Sequence, residues 1–339
     1  MLRFLLARLL WAVPALFGIS LVTFLLMDLA PADRALIAVA QTDAGASAEV
    51  RAASLRRFRE RFGQIDPATG EEIPRLVRYG RWLRHASVLD FGAASDDPVA
   101  FRRRIVAALP VTLLVSFLSI CLAVAVAVPL GGWLGLRAGG FGDRLVSGAM
   151  LVSWSLPEFL AGTLLLVVLG GGIGPALLPV AGLRAAGAEQ WSVPAQAWDM
   201  AKHLLMPVVT LAIGPTVWLT RQVRESVARA ARSEFARTLR AWGTPVATLR
   251  ARVRRHGMVP LATAMGALLP LLVSGSLVVE RLFALPGLGD LACRAVLARE
   301  VPMVMALTTL VSVVTLLGLV ISDVLHRAID PRVSLGRVR

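Results

Sequence analysis

EFARTLRAWGTPVATLRARVRRHGMVP, residues 234–260, is an arginine-rich pair of short helical patterns between two long apolar runs. Ser233 is placed to cap a helix starting at Glu234, whose charge suits the positive N-terminal end of the helix dipole. Phe235, Leu239 and Trp242 follow at i, i+4 and i+7 and so share one face. Gly243 can take the left-handed conformation that ends a helix; Thr244 and Pro245 supply the N-cap and first position of the next, which Gly257 closes. The first of these helices, only about 14 Å long, is too short to be stable alone. It needs a surface to lean on. Three surfaces qualify: the ends of the chain's own apolar helices, an anionic lipid layer, or a groove on another protein. Spacing alone does not choose among them.

Working outward, the 339 residues are 56% hydrophobic and positive in mean hydropathy, a membrane composition. Apolar runs near the ~20 residues that cross a bilayer occur at about 9–29, 105–130, 145–169, 204–220, 258–279 and 303–325. The expected fold is therefore all-α and polytopic, with six transmembrane helices. The fourth run is the shortest, and Pro207 and Pro215 blur its ends. The first run resembles a signal peptide, with Arg3 and Arg8 ahead of it and Ala30-Pro31-Ala32 behind, but it is longer than a signal core.

Arginines in the short connections set the orientation. With the N-terminus in the cytoplasm, the inner segments carry eighteen basic residues, ten of them between 221 and 255, against five on the outer side. Both termini are then cytoplasmic. The 31–104 segment is the exception, with thirteen arginines outside, but it is too long for the rule to operate and holds ten acidic residues. The expected organisation is a first transmembrane helix (1–30), an extracytoplasmic helical insert (31–104) and a core of five transmembrane helices (105–339) with a basic cytoplasmic segment at 221–257. In the insert, Ser47 begins a helix to Gly63 with Leu55, Phe58 and Phe62 on one face, and Pro74 begins another through Trp82. The insert serves either to cap the bundle or to receive a delivering protein.

Several function classes fall away. The net charge of +14 is spread over membrane-flanking loops without a nucleic-acid motif, so no nucleic-acid partner is expected. Cys121 and Cys293 lie far apart, and His85, His203, His256 and His326 stand alone, so neither disulfides nor a metal site is expected. No cofactor and no catalytic cluster is read. Asp28, Glu280 and Asp323 lie at the ends of their runs and read as anchors or packing groups. Glu158 differs. It follows Pro157 in the middle of the third run, where a carboxylate could face a translocation path.

A Walker nucleotide site needs a lysine behind a glycine-rich loop, and the only lysine is Lys202, in the sequence Asp199-Met200-Ala201-Lys202-His203. The chain cannot itself be a P-loop ATPase. Active transport then needs either an ion gradient, for which midplane carboxylates are scarce, or a separate ATPase pushing on a cytoplasmic lever. The 234–243 helix is of that type, so docking becomes the leading reading. An ion-coupled carrier acting alone is the alternative.

Motifs along almost the whole chain carry a family resemblance: RERFG at 59–63, PRLVRYGRWL at 74–83, LDFG at 89–92, LPVTLL at 109–114, VPLG at 128–131, DRLV at 143–146 and LPVAGL at 178–183. HLLMPVVTLAIG at 203–214, EFARTLRAWG at 234–243, VVERLFALPGLGDL at 278–291 and DVLHRAIDPRV at 323–333 complete the series. In this order they resemble the inner-membrane permease subunits of the dipeptide/oligopeptide branch of ATP-binding-cassette importers. The family's coupling motif, Glu-Ala-Ala, three residues, then Gly, maps by its glycine onto Arg237, Thr238, Leu239 and Gly243. The first three positions depart from the nominal letters.

The resemblance implies a type I importer fold, pairing with a second homologous permease subunit, two ABC ATPase subunits below and an extracytoplasmic solute-binding protein above. It also implies alternating access, with di- and oligopeptides, nickel, glutathione or peptide antibiotics among related cargoes. Glu234, Phe235, Arg237, Thr238, Leu239, Trp242 and Gly243 are the expected ATPase-coupling residues, and Glu158 the candidate pathway residue.

Overall fold

Backbone polar groups in an apolar run have no water to bond, so such runs close their hydrogen bonds internally as helices. The computed structural model describes residues 2–29, 48–61, 65–66, 69–87, 97–258, 268, 277–298 and 300–329. These form α1 (Leu2–Leu29), α2 (Ala48–Arg61), α3 (Arg75–Ser87), α4 (Pro98–Leu136), α5 (Phe141–Ser155), α6 (Glu158–Leu169), α7 (Val193–Arg232), α8 (Glu234–Ala241), α9 (Val246–Gly257), α10 (Leu277–Leu282), α11 (Leu288–Leu297) and α12 (Val301–Ile329). Among the described residues the only β pairing is the isolated bridge Ile65–Glu72. The fold is all-α.

Among the described residues three helices are long and apolar enough to cross a membrane: Val99–Leu136, Val193–Arg232 and Val301–Ser322. The expected third span is not one straight helix. It divides into α5 and α6, which bend by 101° at Leu156-Pro157. Leu156 and Pro157 are both extended (ψ 125° and 140°), because proline has no N–H for the ladder and forces its predecessor out of helical conformation. The pair counts as a fourth span if it is one element. The apolar part of α1, Leu10–Leu26, is shorter. Most of the expected fifth span, 258–279, lies outside the described residues, as do Ser47 and Phe62. The second and fourth spans run well past their expected bounds: α4 has 39 residues and α7 has 40. At about 1.5 Å per residue each is close to 60 Å long, roughly twice a hydrocarbon core. Pro207 and Pro215 stay inside α7 rather than ending it.

The chain forms two compact units, Met1–Leu109 with Leu291–Val313, and Pro110–Asp290 with Val314–Arg339. In the first, Phe24, Tyr79 and Met305 share a core that Leu21, Leu25, Trp82 and Val301 surround. In the second, α4 and α7 approach closely. Ala127, Gly131 and Gly135 recur every four residues on one face of α4, and a Cβ on Gly131 would come 2.7 Å from the Thr220 carbonyl oxygen and 2.8 Å from the Val223 Cβ. One on Gly135 would stand 2.7 Å from the Arg224 carbonyl. A small-residue stripe thus lets two backbones approach where lipid supplies no hydrophobic push. Leu268, from the fifth apolar run, packs with Ala127 and Leu219.

Candidate coupling site

The base of this site is an ion pair that spans 81 positions of sequence. Arg224 of α7 donates from Nε and Nη2 to the two carboxylate oxygens of Asp143, at 2.5 and 2.6 Å. The Gly139 amide adds a 2.8 Å bond to the same carboxylate, which is buried. Two-pronged geometry with a third donor fixes the start of α5 against α7. The sequence reading missed this pair. Its local signal was an aspartate just after the 137–139 turn, and nothing local named Arg224 as the partner.

Beyond Arg224, α7 ends at Arg232, and α8 starts after the extended residue Ser233. The side chain of Ser233 does not cap α8 as expected. Its hydroxyl donates back to the Ala230 carbonyl at 2.7 Å, satisfying one of the orphan acceptors at the end of α7. The backbone carbonyl of Ser233 still accepts from the Ala236 and Arg237 amides. Arg240 donates to the Ala231 carbonyl at 2.9 Å, so α8 folds back on the helix it follows. At its far end Gly243 has φ +68°. The Thr244 amide bonds to the Leu239 carbonyl and the Gly243 amide to that of Arg240, at 3.1 and 2.9 Å. These two bonds form a Schellman stop, which needs the left-handed residue. The next helix starts at Val246, one residue later than the Thr244-Pro245 signal placed it.

The apolar stripe meets the chain's own helices along only part of its length. Leu239 is 4% exposed and Ala236 is fully buried, Ala236 packing with Ala230 of α7 and Val253 of α9. Gly257 of α9 has no room for a Cβ beside the Val227 backbone. Phe235, by contrast, is 41% exposed with its ring 4.9 Å from that of His256, and Trp242 is 78% exposed. The inner half of the stripe therefore anchors the helix and the outer half is presented. Glu234 and Arg237 pair at 2.7 Å, and Thr238 bonds the Glu234 carbonyl at 3.0 Å. Both partners of the ion pair are well exposed, so it adds little stability. Glu158 sits apart from this group, on the first turn of α6 directly after the break, and is exposed.

Glu280 is a packing group. It is buried, and its carboxylate accepts from the Thr112 hydroxyl at 2.7 Å and from the Gly289 and Asp290 amides at 2.6 and 3.1 Å. The Thr112 hydroxyl oxygen accepts in turn from the Leu288 amide at 2.8 Å. An anion thus holds the N-terminal amides of α11. A Cβ on Gly287 would collide with the carboxylate, and one on Gly289 would stand 2.7 Å from the Leu277 Cα, so both positions require glycine.

The family described as the binding-protein-dependent transport system inner membrane component matches residues 127–335, a stretch that includes Asp143, Arg224, α8 and Glu280. The chain belongs to this family. An oligopeptide transport system permease protein of Bacillus subtilis, AppB, is 28% identical over 98% of this chain and 100% of its own length. The dipeptide transport system permease protein DppB of the same organism is 26% identical over 78% of this chain and 81% of its own. The metal-staphylopine import system permease protein CntB of Staphylococcus aureus is 26% identical over 99% of each. This protein is accordingly a membrane-embedded permease subunit of a binding-protein-dependent ABC importer.

Proposed function

We propose that this permease imports di- and oligopeptides by alternating access, driven by two ABC ATPase subunits that dock on α8. A second homologous permease subunit completes the pathway, and an extracytoplasmic solute-binding protein delivers cargo. The observation that carries the docking part is the division of α8: buried Ala236 and Leu239 make it rigid with its own bundle, while Phe235 and Trp242 remain presented. A helix so held transmits a push instead of absorbing it, and aromatic anchors are the residue types that dominate docking energy. Peptide cargo is supported by the similarity to AppB and DppB, an oligopeptide and a dipeptide transport system permease protein. The arginine distribution supports cytoplasmic termini and a cytoplasmic α8, with 1–30 a first span, 31–104 an extracytoplasmic insert and 105–339 the permease core.

Reconstitution tests the reading. Proteoliposomes holding both permeases, the ATPases and the binding protein should take up a labelled dipeptide only with ATP inside the ATPase-facing compartment. Uptake by this chain alone on an imposed ion gradient would contradict it.

A further inference from the structure

We propose that α3 is a membrane-interface helix, seated on phospholipid with one flank in the acyl layer and the other at anionic headgroups. Its depth comes from the first unit's core. Tyr79 is 5% exposed, and its hydroxyl shares a 2.8 Å hydrogen bond with the Ser20 hydroxyl of α1. Its ring meets those of Phe17, Phe24 and Trp82, with centroids 5.4 to 6.0 Å away. Met305, which closes the same cluster, lies one turn inside the apolar span that begins at Val301. Glu300, immediately before that span, pairs with Arg104 at 2.9 Å and marks its polar edge. The helix therefore lies at the level where the span begins.

The two flanks of α3 that leave this core differ in kind. At about 100° per residue, Leu76 and Leu83 share one flank and are 74% and 37% exposed. Arg81 and His85 lie on the opposite flank and are exposed, Arg84 lies between the two, and Arg78 turns inward, its guanidinium 5.9 Å from the centroid of the Phe24 ring. No acidic residue occurs in the helix, which holds Arg75, Arg78, Arg81 and Arg84. An apolar flank and a basic flank at the edge of a span match the two layers of a lipid interface, hydrocarbon below and phosphate above.

The test uses the full chain with Cys121 and Cys293 replaced by serine, carrying either Leu83→Cys or Arg81→Cys labelled with a fluorophore. Both are surface positions, so the Tyr79 core is left intact. In nanodiscs of mixed phosphatidylcholine and phosphatidylglycerol, a spin label on the acyl chain should quench the Leu83→Cys probe and spare the Arg81→Cys probe. Moving the spin label from phosphatidylcholine to phosphatidylglycerol should strengthen that quenching, with anionic lipid enriched on the order of fivefold per engaged arginine. Combining Arg81→Gln with Arg84→Gln should abolish the preference. A Leu83→Cys probe that lipid does not quench overturns the proposal, as does equal quenching by both lipids. A probe shielded only when the solute-binding protein is added would make this flank a protein-docking face instead.

Discussion

Arg224 and Asp143 show how one pair sets the geometry on which an element depends. Removing the guanidinium leaves a buried carboxylate with only the Gly139 amide and a distant hydroxyl, Ser147 at 3.4 Å. Arg224→Ala should lower stability by about 2 to 3 kcal/mol, less than for a fully buried pair because the arginine is 29% exposed. Arg224→Lys should recover only part of this, since a point charge cannot reproduce two parallel bonds. Thermal unfolding of the purified protein in detergent measures both. At Glu158 the expectation concerns transport instead. If its carboxylate faces the solute path, Glu158→Gln should change uptake while leaving abundance and complex assembly near normal. Unchanged uptake would mean that the residue is merely accommodated beside Pro157.

At the scale of the element, α8 divides its stripe into a buried part and an exposed part, and the proposed docking role falls to the exposed one. Leu239→Ala removes a buried side chain and should cost about 2 to 4 kcal/mol of stability. Trp242→Ala removes an exposed one and should leave the melting temperature within a degree or two while weakening ATPase binding by about 2 to 4 kcal/mol if the ring is a central anchor. Melting curves and an ATPase pull-down, run side by side on the two variants, distinguish anchor from docking residue. The boundaries of α8 were readable because Ser233, Gly243 and Pro245 act locally, each through its own backbone. The lengths of α4 and α7 were not. Hydropathy reports which residues suit lipid, whereas a helix continues wherever its own hydrogen bonds close, so Asp199, Lys202 and Arg224 sit inside α7 though they lie outside its apolar run. The Pro157 kink was legible as a weakness in the helix, but its 101° angle was not, because packing of α6 sets the angle. The Asp143–Arg224 pair and the Glu280 knot were illegible for a further reason: each joins residues whose neighbourhood exists only after folding. The four-residue spacing of Ala127, Gly131 and Gly135 was present in the sequence and could have announced the α4–α7 contact.

For the whole molecule, family membership fixes the class of machine, and the division of α8 proposes where it is driven. The proposed orientation rests on the arginine distribution and is open to labelling. In a background without Cys121 and Cys293, Thr69→Cys should react with an impermeant maleimide in intact cells and Thr248→Cys only after permeabilisation. The reverse pattern would place α8 on the wrong side for a cytoplasmic ATPase. The most direct measurement of the coupling claim is the ATP consumed per peptide imported by proteoliposomes containing the Trp242→Ala subunit with its full set of partners. The account predicts loss of ATPase association, or ATP spent without matching uptake, in a subunit that remains folded and membrane-inserted. Full association and an unchanged ratio of ATP to peptide would contradict it, and would leave lipid as the surface for Trp242.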